Sequence, residues 1–231
     1  MRVNAVIVAA GEGKRMGGGV AKPLLLLAGR PLILHTLTRF AASQIRRVIL
    51  VVPQQDGASF ERLVAADPGA RRLDCVVQPG GARRQDSVRQ GLARLDDDCE
   101  VVVIHDGARP LISPALIHRC VEAAAKEGAA VVGVPVHDTI KVVSASGRVE
   151  STPARDSLWE IQTPQAFQVE IIRDAHRRAE KDGIEATDDA MLVERLGKSV
   201  VVLEGDRTNI KITTPEDLLI AEALIRQRRV T

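Results

Sequence analysis

A chain of 231 residues with 45% apolar side chains can build one α/β domain with a full core, and a formal net charge of +2 gives no whole-chain attraction to nucleic acid. Aromatic residues make up 2% and Tyr is absent, which argues against base-stacking platforms of the single-strand-binding kind. No apolar run approaches the ~20 residues of a membrane helix, no signal-peptide pattern precedes the first strand, and Cys75, Cys99 and Cys120 lack C-x-x-C spacing. These features predict a cytoplasmic protein with reduced thiols, no nucleic-acid partner and no membrane partner.

The apolar run Val3–Ala9 predicts a first strand, and it empties into "AAGEGKRMGGGVAKP", Ala9 to Pro23. That stretch holds five glycines, Lys14, Arg15, Lys22 and a single acid, Glu12. Two familiar phosphate motifs fail on spacing. Gly11 and Gly13 begin a dinucleotide fingerprint, but Met16 stands at its third position; Gly13 and Gly18 begin a Walker A loop, but Gly19 and Val20 follow. The physical reading survives both failures, because glycines let backbone N–H groups converge on phosphate oxygens while nearby cations add charge. The alternative is a flexible surface loop with solvated cations; the position after a first α/β strand favours a ligand.

Pro31–Ala42 predicts a helix with Leu34, Leu37 and Ala41 on one face. Further strand-like runs are Val48–Val52, Cys75–Val77, Val101–Ile104, Ala129–Val134 and Val200–Leu203. Ser113-Pro114 and Thr214-Pro215-Glu216-Asp217 read as helix starts, and the basic tail of Arg226, Arg228 and Arg229 as a solvated helix end. The alternation predicts an α/β fold, a single doubly wound, mostly parallel sheet occupying 1–231 as one domain. Residues 137–162 break the rhythm: Thr139–Val143 and Arg148–Thr152 flank the turn cluster Ser144–Gly147, a β-hairpin pattern. A hairpin is marginal alone, so this one is expected either to protrude as an arm that embraces a second subunit or to fold against its own domain.

Three groups of residues carry chemistry. "GGARRQDSVRQGL", from Gly80, is a Gly-rich turn opening a helix, with Gly81 able to approach a flat base and Ser87 offering a hydroxyl. "HDGARP", from His105, ends a strand where active sites of such sheets gather; Asp106 can hold Mg²⁺ or sugar hydroxyls, and Arg109 can hold an anion or pair with Asp106. Lys211, between Ile210 and Ile212 in a β-like run, must point somewhere polar, whereas Trp159 reads as a packing anchor.

Read together and in order, "AAGEGKRM…AK", "GGARRQDSV", "HDGARP", "DTIK", "RDSLWEIQTPQ", "TDD" and "DRTNIKIT" resemble the 2-C-methyl-D-erythritol 4-phosphate cytidylyltransferase family over essentially the whole chain. The resemblance implies a nucleotide-diphospho-sugar transferase-like fold and the reaction of CTP with 2-C-methyl-D-erythritol 4-phosphate in non-mevalonate isoprenoid biosynthesis, with Mg²⁺ or another divalent cation. It implies Arg15 and Lys22 on the triphosphate as transition-state stabilisers, and Ala9, Ala10, Gly11, Gly13, Gly81 and Ser87 around the nucleotide. It places Asp106, Arg109, Thr139, Thr163 and Thr187 around the polyol phosphate, with Arg155 and Lys211 aiming its phosphate. It implies a homodimer in which the arm completes the partner's site. The chain departs from the family at Ala21-Lys22-Pro23, where the family reads Pro-Lys-Gln, and the following "LLLLAGRPL" is closer to sugar-phosphate nucleotidylyltransferases. Three other readings stand beside it: transfer to another polyol phosphate such as ribitol 5-phosphate, a nucleotide-binding module without catalysis, and an NAD-binding oxidoreductase, the last disfavoured by Met16.

Overall fold

The computed structural model describes residues 1–11 and 22–230, with side chains through residue 227. In chain order its elements are β1 (Val3–Val8), β2 (Leu26–Leu27), β3 (Arg30–Pro31), α1 (Leu32–Ala41), β4 (Arg47–Val52), α2 (Gly57–Ala66), β5 (Asp74–Pro79), α3 (Arg84–Leu92), β6 (Val101–Asp106), α4 (Pro114–Glu127) and β7 (Ala129–Pro135). There follow β8 (Val142–Val143), β9 (Val149–Ser151), β10 (Trp159–Gln168), α5 (Val169–Lys181), α6 (Asp189–Glu194), β11 (Val201–Glu204) and α7 (Pro215–Val230).

Period-two burial explains the sheet. In β1, Ala5 and Ile7 join the core under α1, α2 and α4, while Val6 joins the core under α3, α5 and α6. β4 and β6 repeat the pattern, with Val48, Leu50 and Val103 on the first face and Ile49, Val51 and Val102 on the second. Strands buried on both faces must be apolar throughout, which is why they were legible as continuous runs. Each such Val, Leu or Ile side chain contributes about 1.5–3 kcal/mol on burial. The described sheet has seven strands in the order β11-β7-β10-β6-β1-β4-β5, all parallel except β10, which runs antiparallel to both β6 and β7.

The helix starts agree with expectation. Ser113 accepts a hydrogen bond from the Leu116 N–H, and Pro114 opens α4. Asp217 accepts from the Thr213 and Thr214 N–H groups and closes the first turn of α7. α7 then covers a small third cluster of Leu27, Leu32, Leu111 and Ile212 through Ala221 and Ile225.

Three expectations are corrected. The segment 137–162 is not all hairpin: Trp159–Gln162 is the start of β10, paired to β7 at Trp159↔Pro135, Glu160↔Val134 and Ile161↔Gly133. The hairpin proper is short, with Val142 opposite Ser151 and Val143 opposite Val149. Trp159 is not a buried anchor; it is 37% exposed at the base of the hairpin. Lys211 is not in a strand. Its neighbour Ile212 makes one backbone bond, to the Ala108 carbonyl, and the segment lies alongside the β6 exit.

Candidate active site

The carboxyl ends of β1, β4, β5 and β6 form one edge of the sheet, and backbone bonds lock their exits together. The Ala9 N–H donates to the Val51 carbonyl at 2.7 Å, Gly80 to Val52 at 2.8 Å, and Gly107 to Val8 at 2.9 Å. Gly80 is required here: a Cβ on it would stand 2.5 Å from the Ala10 Cβ. The result is a cleft of about 590 Å³ lined by Ala9, Ala10, Gly11, Lys22, Gly81, Arg83, Arg84, Ser87, Asp106 and Lys211, among others. Among the described lining residues four cations stand against one carboxylate, which suits a polyanion. Ser87 is buried, and its hydroxyl shapes the turn, accepting from the Gly81 N–H at 3.1 Å and donating to the Arg83 carbonyl at 3.1 Å.

Asp106 is the hub. Its Oδ1 accepts from Arg84 Nε at 3.2 Å, and its Oδ2 lies 2.8 Å from Lys211 Nζ and 3.7 Å from Arg109 Nε. Burial pushes this carboxyl up, but the attraction of Arg84 and Lys211 outweighs it and holds Asp106 below the usual carboxylate range. Arg84 reaches on with Nη1 to Asp189 Oδ2 at 2.7 Å.

Below Asp106 lies a chain of neutral hydrogen bonds. The Asp106 N–H donates to Thr163 Oγ1 at 3.0 Å, the Thr163 hydroxyl lies 3.0 Å from His105 Nδ1, and His105 Nε2 lies 3.2 Å from the Arg109 carbonyl. A carbonyl can only accept, so Nε2 carries the proton and Nδ1 accepts from Thr163. Burial pushes the His105 imidazole down to about 4, which agrees with that neutral form. Arg109 also donates from Nη1 to the Asn209 carbonyl at 2.7 Å.

The structure thus brings Ala9, Ala10, Gly11, Lys22, Gly81, Ser87, Asp106 and Lys211 to one cleft. Arg109 and Thr163 stand just beneath, with the Thr163 hydroxyl already engaged in supporting Asp106. Thr139 and Arg155 lie apart from the cleft lining, on the exposed arm, where Arg155 Nη1 donates to the His137 carbonyl at 2.6 Å. Thr187 is exposed, just ahead of α6. Arg15 and Gly13 lie outside the described residues. Sequence reasoning singled out neither Arg84 nor Asp189. No local signal marks them, because an acid at a helix start is ordinarily a solvated partner of the helix N-terminus, and the cation that pairs with it here comes from a distant segment. Among the described residues no cluster of three or more His, Cys, Asp or Glu could hold a metal unaided.

Known proteins resemble this chain over nearly its full length. A relative from Pelotomaculum thermopropionicum, a 2-C-methyl-D-erythritol 4-phosphate cytidylyltransferase by name, is 48% identical over 99% of this chain and 96% of its own. A like-named relative from Bacillus pumilus is 46% identical over 99% of both. The structure of the like-named protein from Thermus thermophilus superimposes with a TM-score of 0.79 at 37% identity, covering 98% of this chain and 100% of the other. The 4-diphosphocytidyl-2C-methyl-D-erythritol synthase of Anaerococcus prevotii gives 0.85 at 31% identity, covering 97% and 98%. The sequence pattern of one family matches residues 3–227, and this chain belongs to it: the 2-C-methyl-D-erythritol 4-phosphate cytidylyltransferases.

Proposed function

We propose that this chain joins CTP to 2-C-methyl-D-erythritol 4-phosphate, giving 4-diphosphocytidyl-2-C-methyl-D-erythritol and pyrophosphate in non-mevalonate isoprenoid biosynthesis. The observation that carries the reading is the cation-lined cleft at the sheet's carboxyl edge, in a chain that matches this family over residues 3–227.

A phosphate oxygen of the polyol attacks the α-phosphorus of CTP. The bond from that phosphorus to the oxygen bridging the β-phosphate breaks, and pyrophosphate leaves with the electron pair. A phosphate monoester has a second pKa of about 6, so it is largely dianionic at neutral pH and requires no general base. The obstacle is bringing one anion to another, which fixed cations and positioning address. Lys22, together with Arg15, acts on the triphosphate. Ala9, Ala10, Gly11, Gly13, Gly81 and Ser87 surround the nucleotide. Asp106, Arg109, Thr163, Thr139 and Thr187 surround the polyol phosphate, which Lys211 and Arg155 aim. A divalent cation such as Mg²⁺ fits the donor set, since Mg²⁺ is commonly held by one or two carboxylates plus substrate phosphates, and among the described residues Asp106 is the carboxylate that lines this cleft. When bound it would supply charge neutralisation on the triphosphate.

The working unit is a homodimer joined through the arm. What supports this is apolar surface: Val142, Val143 and Val149 are exposed on the hairpin, as is Ile161 at its base. Free thiols at Cys75, Cys99 and Cys120 support a cytoplasmic setting. No helix among the described residues is long and apolar enough to cross a membrane. The test is pyrophosphate release from CTP with methylerythritol phosphate and with ribitol 5-phosphate in parallel. Turnover confined to the first is the expected result; faster turnover of ribitol 5-phosphate would overturn the substrate assignment.

A further inference from the structure

On the wall of the cleft, Arg84 spans two carboxylates, and only one of them, Asp106, lines the cleft. We propose that Asp189 is a positioning residue for the transfer: it anchors one end of the Arg84 guanidinium so that the other end fixes the orientation of the Asp106 carboxylate. The inference rests on the cleft being the transfer site.

The three cations around Asp106 differ in how they are held. Lys211 is a flexible amine whose side chain is 41% exposed, and Arg109 Nε is 3.7 Å away. Arg84 is fixed at its far end. Its Nη1 meets Asp189 Oδ2 at 2.7 Å, and the Asp189 side chain is 1% exposed. Asp189 is itself held from three sides. Its Oδ1 lies 3.1 Å from His176 Nε2 on α5, its N–H donates to Gln165 Oε1 on β10 at 3.2 Å, and it occupies the first turn of α6. Gln165 is anchored in turn, donating to Asp188 Oδ2 at 2.8 Å.

A guanidinium is planar, with a fixed spacing between Nε and Nη1, so pinning Nη1 also sets where Nε points. Nε takes Asp106 Oδ1, and this leaves Oδ2 turned toward Lys211. Buried ion pairs add little net stability, because desolvation offsets attraction, so the main product of this arrangement is orientation. It also keeps Asp106 paired when Lys211 turns to an incoming phosphate.

The test is a double-mutant cycle in kcat and KM with Asp189→Asn, Arg84→Lys and Asp106→Asn, each checked for an intact fold by thermal unfolding. Asp189→Asn keeps the shape and removes the charge. Arg84→Lys keeps the charge but cannot bridge two carboxylates in one plane. Each is expected to lower kcat on the order of tenfold with KM for CTP within about twofold, the pattern of lost positioning rather than lost binding. In the Asp106→Asn background the Asp189→Asn effect should shrink to about twofold or less, because the group it orients is gone. Fully multiplicative losses, or a loss carried by KM alone, would overturn the inference. Absence of pyrophosphate release by the unmodified protein would instead overturn the transfer reading, so the two failures are distinguishable. If Asp189→Asn does not fold, Arg84→Lys alone completes the cycle with Asp106→Asn.

Discussion

The floor of the cleft and the hairpin arm are opposite solutions to exposure. The floor buries polar groups and pairs them: Asp106, Thr163, His105 and Asp189 each find partners within the same chain, at distances of 2.7 to 3.2 Å. The arm does the reverse, leaving Val143 50% and Val149 60% exposed on a two-stranded ribbon. Its polar ties run along its own chain, from Lys141 to Thr152 and from Arg155 to His137. One region is complete within a single chain. The other has apolar surface that a two-stranded hairpin cannot bury by itself. The difference singles out the arm as the surface on which the proposed second copy would dock.

The strongest way to break the cleft side is Lys22→Ala. A cation that acts on charge developing in the transition state accelerates the step, while uniform binding does not. Loss of one such contact costs about 2.7–4 kcal/mol, so kcat should fall roughly 10²–10³-fold while KM for CTP changes far less. Steady-state kinetics decide it, and a mutant with unchanged kcat removes Lys22 from this role.

Acid sharpens the same side. The folded value of about 4 for His105 lies below the 6.5 of an exposed imidazole, so between these pH values the unfolded chain takes up a proton that the folded protein refuses. Stability is therefore full above pH 6.5 and declines as pH falls, by about 3 kcal/mol at pH 4. Asp106 and Asp189 are both held below the usual carboxylate range, so their contributions are lost only at lower pH, below the unfolded value near 3.8. Denaturant unfolding from pH 7 to 4 should show a flatter profile for His105→Asn than for the unmodified protein, from a lower starting stability. Parallel profiles would place the acid sensitivity elsewhere.

Legibility in the sequence follows the same division. β1, β4, β6 and β7 were readable because strands covered on both faces must be apolar along their length. β10 was not, although it lies inside the sheet. Its middle is Gln162-Thr163-Pro164-Gln165, and those polar side chains are buried because they hold the site: Gln162 bonds Asn209, Thr163 supports Asp106 and Gln165 holds the α6 start. A strand that carries site chemistry reads like a loop. Arg84 and Asp189 were invisible for a related reason. They are 105 positions apart, and only the fold, which brings the first residues of α3 and α6 within reach of one ion pair, makes either one meaningful.

The gentlest test concerns the arm. If Arg155 serves the neighbour's cleft, then Arg155→Ala and Lys22→Ala damage different chains' contributions to the same site. When the two variants are co-expressed at equal levels, random pairing makes half of all dimers mixed. Each mixed dimer holds one site with both residues intact and one with neither, so about a quarter of full activity should return, since a two-fold contact uses the same patch on both chains. A site built within one chain predicts no recovery at all, because no chain then carries both residues. Val149→Asp gives an independent handle on the same surface. A charge on the exposed hairpin face costs a single chain little, but facing its own copy across a two-fold axis it must be desolvated near a like charge. Sedimentation should therefore show a shift toward monomer for Val149→Asp, with unchanged thermal unfolding of the core. If the unmodified protein already sediments as a monomer, the arm has no partner copy and Arg155 must serve its own chain.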